Sequence, residues 1–174
     1  VRPQVNGIVA KRLFTEGGYV TAGQPLYQLD DAAYRAQANS ARAQLGRAEA
    51  TAEASRTSAV RIAELAKVDA VSVQDNENAI AARKQAEADV GAARASLDAA
   101  NVTLGYARIT APISGRIGKS SVTQGALVNA GQAEALATIQ QLDPIYVDIS
   151  QSAGELLQLR RDLAAGRLQD NQTL

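Results

Sequence analysis

Between Asp31 and Tyr106 the chain repeats small or apolar side chains every three or four residues. They fall at Tyr34, Ala38, Ala41, Leu45, Ala48, Ala52, Ala59, Ile62 and Ala66, with Ser55 taking the one polar step. Alternating steps of four and three are the a/d rhythm of a coiled coil. Farther on, Ala79, Ala86, Val90, Ala93, Leu97, Ala100 and Leu104 keep a similar spacing. No proline interrupts the segment, its glycines are Gly46, Gly91 and Gly105, and Ala, Arg, Gln, Glu and Leu dominate the rest. These are strong helix formers. The pattern predicts two helices with a turn near Val68 to Ser72. Asp30-Asp31 start the first, because a side-chain oxygen caps free amides and negative charge suits the positive end of the dipole. Ser72, followed three residues later by Asp75, is close to a capping box and starts the second. Gly105 is expected to end it in a left-handed conformation.

An antiparallel pairing sets Tyr34 against Leu104, Ala41 against Leu97, Leu45 against Ala93 and Ala48 against Val90. Large residues meet small ones, so the helices can approach closely. Toward the tip the same register sets Ser55 against Arg83 and Ile62 against Asn76, and a looser or shifted seam is expected there. Two helices of about 35 residues make a rod of roughly 50 Å. Its outer faces are charged and suited to solvent or to packing on further copies.

Either side of this rod the period shortens to that of strands. VNGIVAKRLFTEGGYVTAGQ at Val5 to Gln24 returns as ISGRIGKSSVTQGALVNAGQ at Ile113 to Gln132. Gly7, Lys11, Thr15, Gly17, Val20, Ala22, Gly23 and Gln24 fall in register on Gly115, Lys119, Thr123, Gly125, Val128, Ala130, Gly131 and Gln132. This is an internal repeat. In the first copy Ile8-Val9, Leu13, Phe14, Val20 and Leu26-Tyr27-Gln28-Leu29 supply short strands between turn glycines. The second offers Ile117, Val122, Leu127-Val128 and, after a two-residue insertion, Leu136-Ala137-Thr138-Ile139. Two equivalent halves predict a small pseudo-symmetric β-sandwich folded from both copies. After them, Leu142 to Ile149 reads as an alternating strand. Ser152-Ala153-Gly154-Glu155 is a capping box for a helix through about Ala165, stopped by Gly166. One strand and one helix cannot bury a core alone.

Composition narrows the chemistry. Lys+Arg and Asp+Glu are 18 each, and no basic face suggests nucleic-acid binding. Five Tyr, one Phe and no Trp, with much of the apolar share in Ala, argue against a thick globular core. Cys and His are both absent, which removes thiolate and imidazole metal sites, Cys nucleophiles, His bases and disulfides. No cofactor site is expected. The acidic pair Asp30-Asp31 suits capping far better than catalysis. No signal peptide or apolar run of spanning length is present, and the chain reads as a piece of something longer.

The repeat resembles the biotinyl/lipoyl half-motif domain. Carrier versions present a modified Lys on a tight hairpin between their halves. Here the insertion from Asp30 to Ala107 occupies that place, and Lys11 and Lys119 lie inside the halves, so the scaffold is kept and the carrier chemistry looks lost. Over essentially all its length the chain resembles the periplasmic adaptor subunits, or membrane fusion proteins, of RND-type multidrug efflux pumps. The resemblance is strongest in VRPQVNGIVAKRLFTEGGYVTAGQPLYQLD and in APISGRIGKSSVTQGALVNAGQAEALATIQQLDPIYVDISQS. It includes Arg61, Leu65 and Ser72 at the predicted tip, an Arg-x3-Leu-x6-Ser arrangement that the family associates with docking to the outer-membrane exit duct. On their own, these three are a surface Arg, a seam Leu and an N-cap Ser.

The fold class expected is α+β: a lipoyl-like β-sandwich (residues 1–30 and 107–141) split by a long antiparallel coiled-coil hairpin (31–106), then the beginning of a β-barrel domain (142–174). The resemblance implies a non-enzymatic periplasmic adaptor between an inner-membrane RND transporter and a TolC-type outer-membrane channel. It also implies self-association into a ring and tethering to the inner membrane through a part absent from this chain. The alternatives are a biotin- or lipoate-type carrier, which predicts a Lys adduct, and an adaptor for an ABC-type exporter.

Overall fold

The computed structural model describes residues 1–141 and 152–166. The chain divides into two compact units, Val1–Gln141 and Leu142–Leu174. The strand expected at Leu142 to Ile149 lies outside the described residues. In the second unit one helix is described, and it starts and stops where the sequence predicts. Ser152 caps it with its side chain, Glu155 closes the capping box, and Gly166 follows its end with φ 68°. The Ser152 amide and hydroxyl hold the Glu155 carboxyl below its ordinary range.

In the first unit the strands are β1 (Gly7–Arg12), β2 (Tyr19–Val20), β3 (Pro25–Leu29), β4 (Arg108–Thr110), β5 (Gly115–Ile117), β6 (Leu127–Val128) and β7 (Ile139–Gln140). They form two sheets, β4-β3-β1-β6 and β2-β5-β7. The repeat explains this order. β1, β2 and β3 of the first copy correspond to β5, β6 and β7 of the second, so β3-β1-β6 and β7-β5-β2 are the same arrangement with the copies exchanged. The registers agree residue by residue. Gly7 pairs with Val128 and Ile8 with Leu127, whereas Gly115 pairs with Val20 and Arg116 with Tyr19. Each half lends its second strand to the other's first, so neither half forms a complete sheet alone.

The turn glycines match as well: Gly17 and Gly125 have φ 73° and 88°. Gly115 is required by a close approach, since a Cβ there would lie 2.4 Å from the Gln140 carbonyl oxygen. Alternate residues of the short strands point inward. Val9, Val20, Leu26, Tyr27, Leu29, Ile117, Val128 and Leu136 are almost wholly buried. Phe14 packs edge-on against Tyr27, with ring centroids 5.2 Å apart. The Tyr27 hydroxyl donates to the Leu136 carbonyl at 3.0 Å and lies 2.6 Å from Ser120 Oγ. Burial pushes this phenol above its ordinary pKa.

The strand expected at Leu136 to Ile139 begins later, at Ile139. Leu136 is buried, but its amide donates to Val1 and its carbonyl accepts from Ser121 and Tyr27, so it has no ladder partner to recruit. Phe14 likewise enters the core from a loop and not from a strand.

The insertion is a helical hairpin, α1 (Ala32–Ala66) and α2 (Val73–Tyr106). Every expected seam position of α1 is buried or half-buried, and apart from Ala63 every other α1 residue is exposed. Ala38, Ala41 and Ala100 are buried together, with Leu97 and Leu104 packed on them. Beyond the junction with β4, the helices pack on each other and not over the sheets. Tyr34 ties the base down: its ring packs on the sandwich core and its hydroxyl donates to the Asn6 carbonyl at 2.7 Å. At 35 residues α1 is about 50 Å long.

Asn76 and Arg83 continue the three-four spacing of α2 toward the tip as half-buried residues, with Asn76 Oδ1 and Arg83 Nε left without hydrogen bonds. One local expectation is corrected. Gly105 does not end α2. The helix runs to Tyr106 and is capped by Ala107 in right-handed geometry, and the Ala107 carbonyl is then taken by the Leu29 amide of β3. The acidic start of α1 is as expected: Asp30 caps, accepting from the Ala32 amide at 3.1 Å, while Asp31, at the N-cap position itself, makes no capping bond and pairs with Arg35.

Candidate functional site

The hairpin apex is built by two capping motifs back to back. At the end of α1 the Ala70 amide donates to the Leu65 carbonyl at 3.0 Å, and the Asp69 amide to the Ala66 carbonyl at 3.2 Å. This is the Schellman pattern, in which the penultimate residue is left-handed. Here that residue is Asp69, with φ 54°. Three residues later Ser72 opens α2. Its Oγ accepts from the Asp75 amide at 3.1 Å and donates to Asp75 Oδ2 at 2.6 Å, and its own amide donates to the same carboxylate at 3.3 Å. The chain therefore reverses within residues 67–72 with both helix ends capped.

The structure brings the three sequence-predicted residues to this apex in different roles. Arg61 and Leu65 are four residues apart and share a face of α1. Arg61 is exposed, and its guanidinium has no hydrogen-bond or ion-pair partner among the described residues. Leu65 is 41% exposed, so it is a surface knob and not a seam residue. Ser72 spends its hydroxyl proton on Asp75 and accepts an amide in return, so it shapes the turn and has little left to offer a partner.

Sequence reasoning missed the valines. Val60, Val68 and Val73 are 55%, 71% and 76% exposed. Between residues 32 and 101, these and Leu65 are the only exposed large apolar side chains. The shaft below is Ala, Gln and charged residues outside the seam. The signal was available: Val60 and Val73 are β-branched, weak helix formers placed off the a/d positions of a helix otherwise filled with strong ones. Around them sit Arg61, the exposed Glu64–Lys67 ion pair at 2.7 Å, and Asp69. The apex thus offers contact chemistry, with apolar knobs among a few fixed charges.

Elsewhere the candidates of the carrier type are placed plainly. Lys11 lies within β1 opposite Gln28, and Lys119 lies on an exposed loop after β5. β3 and β4, the strands that a tight carrier hairpin would join, are paired antiparallel but connected through the whole rod. Among the described residues there is no cluster of three or more metal-ligating side chains, and no helix is long and apolar enough to cross a membrane.

Residues 1–140 match the family described as the RND membrane fusion protein (MFP) barrel-sandwich hybrid domain. The toluene efflux pump periplasmic linker protein TtgA of Pseudomonas putida is 54% identical over 169 residues, covering 97% of this chain and 40% of that protein. The multidrug efflux pump subunit AcrA of Escherichia coli is 49% identical over 168 residues, covering 97% of this chain and 42% of AcrA. The chain thus spans about two-fifths of the length of these relatives. Among solved structures, MacA from Actinobacillus actinomycetemcomitans superposes with a TM-score of 0.62 at 25% identity, over 80% of this chain and 48% of MacA. With a hairpin dividing two exchanged half-motifs and a family match over most of its residues, this chain belongs to the RND membrane fusion proteins, by way of their barrel-sandwich hybrid domain.

Proposed function

We propose that this chain is the hairpin-bearing part of a periplasmic adaptor. It links an inner-membrane RND drug/proton antiporter to a TolC-type outer-membrane channel in multidrug efflux of a Gram-negative bacterium. The observation that carries this reading is the distribution of exposed apolar side chains on the rod. Apart from Val102 and Tyr106 at the base, where α2 meets the sandwich, they are gathered at its far end beside Arg61, with none along the shaft between. A solvent-facing spacer has no use for that arrangement, whereas a rod that binds end-on does. Relatives named as efflux pump subunits and periplasmic linkers support the same assignment.

Arg61 supplies a planar donor for carboxylates or carbonyls, Leu65 fills an apolar notch, and Ser72 holds the turn that aims both. Residues 1–30 and 107–141 serve as the lipoyl-like base, 31–106 as the reach, and 142–174 as the start of a β-barrel domain. Copies pack side by side into a ring around the conduit, and a part of the protein outside this chain tethers it to the inner membrane. The role is non-enzymatic: the adaptor couples two machines and itself transfers no group.

Length is what this function demands, so length is what tests it. Deleting one matched heptad from each helix keeps the seam in register and shortens the rod by about 10 Å. The full-length protein so altered should fold normally and lose efflux of a fluorescent dye from whole cells. Full dye efflux with the shortened rod would rule out a fixed-length bridge.

A further inference from the structure

Asp69 stands at the summit of the turn and is the only non-glycine residue with positive φ among the described residues. The Schellman bonds that end α1 require a left-handed residue there, and glycine fills that position with least strain, followed by asparagine. An aspartate gives up that ease. Its charge is also misplaced, because it follows directly on the last turn of α1, where free carbonyls favour cations.

Local compensation is missing on every side. The cation nearest along the chain, Lys67, is bonded to Glu64. The positive end of α2 already has its carboxylate, since Asp75 takes the Ser72 amide and hydroxyl. The Asp69 side chain is exposed and has no hydrogen-bond or ion-pair partner among the described residues. Its neighbour Val68 and the nearby Val73 are the two most exposed apolar side chains of the rod. A residue that breaks two local rules, with no return inside its own chain, marks a contact made outside it.

We propose that Asp69 is a specificity contact for the outer-membrane channel. Its carboxylate pairs with an Arg or Lys side chain on the channel's end while Val68 and Val73 fill apolar notches on either side. This rests on the docking reading above. The valines exclude water from the pair as docking proceeds, so removing one charge leaves the other buried and unanswered. Asp69→Asn should therefore cost tenfold or more in docking although it keeps the shape and tolerates the left-handed backbone. Asp69→Gly relaxes that backbone and should tighten the turn, yet dock equally poorly.

The test is co-purification of the full-length adaptor from cells with the host's affinity-tagged TolC-type channel. Hydrogen exchange of the apex amides, measured on the same variants, reports whether the turn is intact. Arg61→Glu and Leu65→Asp are the controls for the docking reading. Recovery of channel reduced at least tenfold in both Asp69 variants, with apex amides in Asp69→Gly exchanging no faster, is the expected result. Wild-type recovery with Asp69→Asn, while the controls lose the channel, overturns the role of Asp69 and leaves end-on docking standing. Wild-type recovery with the controls as well overturns both.

Discussion

Ser72 is the residue whose role the apex geometry defines most sharply, and Ser72→Ala tests it. The substitution removes the acceptor for the Asp75 amide and the donor to Asp75 Oδ2, at 3.1 and 2.6 Å. Replacing an N-cap Ser by Ala costs about 1 kcal/mol. Because the Asp75 carboxylate is exposed, water replaces its lost partner and no buried-charge penalty is added. A local cost of about 1 kcal/mol multiplies the open fraction of the first α2 turn about fivefold. The bonded amides of that turn, Asp75 and Asn76, should exchange about that much faster, while amides of the sandwich core keep their rates. Ser72→Asn restores a cap without the hydroxyl and without setting a second carboxylate beside Asp75, so it should return both the exchange rates and channel docking to near wild type. Two results would refute the reasoning. One is unchanged exchange in Ser72→Ala; the other is loss of docking in Ser72→Asn with its exchange restored, which would make the hydroxyl itself the contact.

Further outcomes follow from the packing. Arg83→Met replaces a seam guanidinium whose Nε makes no hydrogen bond with a straight apolar chain; the exposed ion pair with Glu87 at 3.5 Å that is lost contributes little, so the hairpin should gain about 1 kcal/mol, raising the melting midpoint followed by circular dichroism by about 2–4 °C; a lowered midpoint would contradict it. Gly115→Ala forces a Cβ against the Gln140 carbonyl and should cost about 1–3 kcal/mol. Gly46→Ala, in open space on α1, should instead gain about 1 kcal/mol, both changes being read by urea titration. Tyr27 adds a pH dependence. Its phenol is pushed above 10.0 by burial, so the stability it contributes is complete below pH 10 and is lost as pH rises through its raised value. Tyr27→Phe should cost about 1 kcal/mol at neutral pH, through its lost hydrogen bonds, and flatten the alkaline decline.

Much of this fold was legible because two periodicities dominate the chain. The a/d steps fixed the α1 seam residue by residue, and the repeat of Gly7, Gly17 and Gly23 as Gly115, Gly125 and Gly131 foretold two equivalent halves. What the pattern could not convey is how the halves combine, because exchanged β2 and β6 arise from pairing between residues distant in sequence. A local end effect was also misread where tertiary bonds compete with it. Gly105 carries the composition of a stop, but the β3–β4 ladder places the stop at Ala107. At the apex, a motif supplied Arg61, Leu65 and Ser72. The exposed valines and the left-handed Asp69 needed coordinates, since exposure and φ are properties of the folded turn. Arg83 and Asn76 are misfits in the seam pattern, and both lie half-buried with a polar atom left without a hydrogen bond.

These 174 residues hold no cysteine, so the rod carries no native thiol and its end-on docking can be tested with one introduced there. Val68→Cys at the apex and Arg47→Cys on the exposed shaft, each in the full-length protein in cells, can be labelled with a maleimide–benzophenone, irradiated so that the benzophenone inserts into a nearby C–H bond, and probed for adducts of the outer-membrane channel. The apex thiol should capture the channel and the shaft thiol should not. Capture from the shaft alone, or equally from both positions, would contradict binding through the end of the rod.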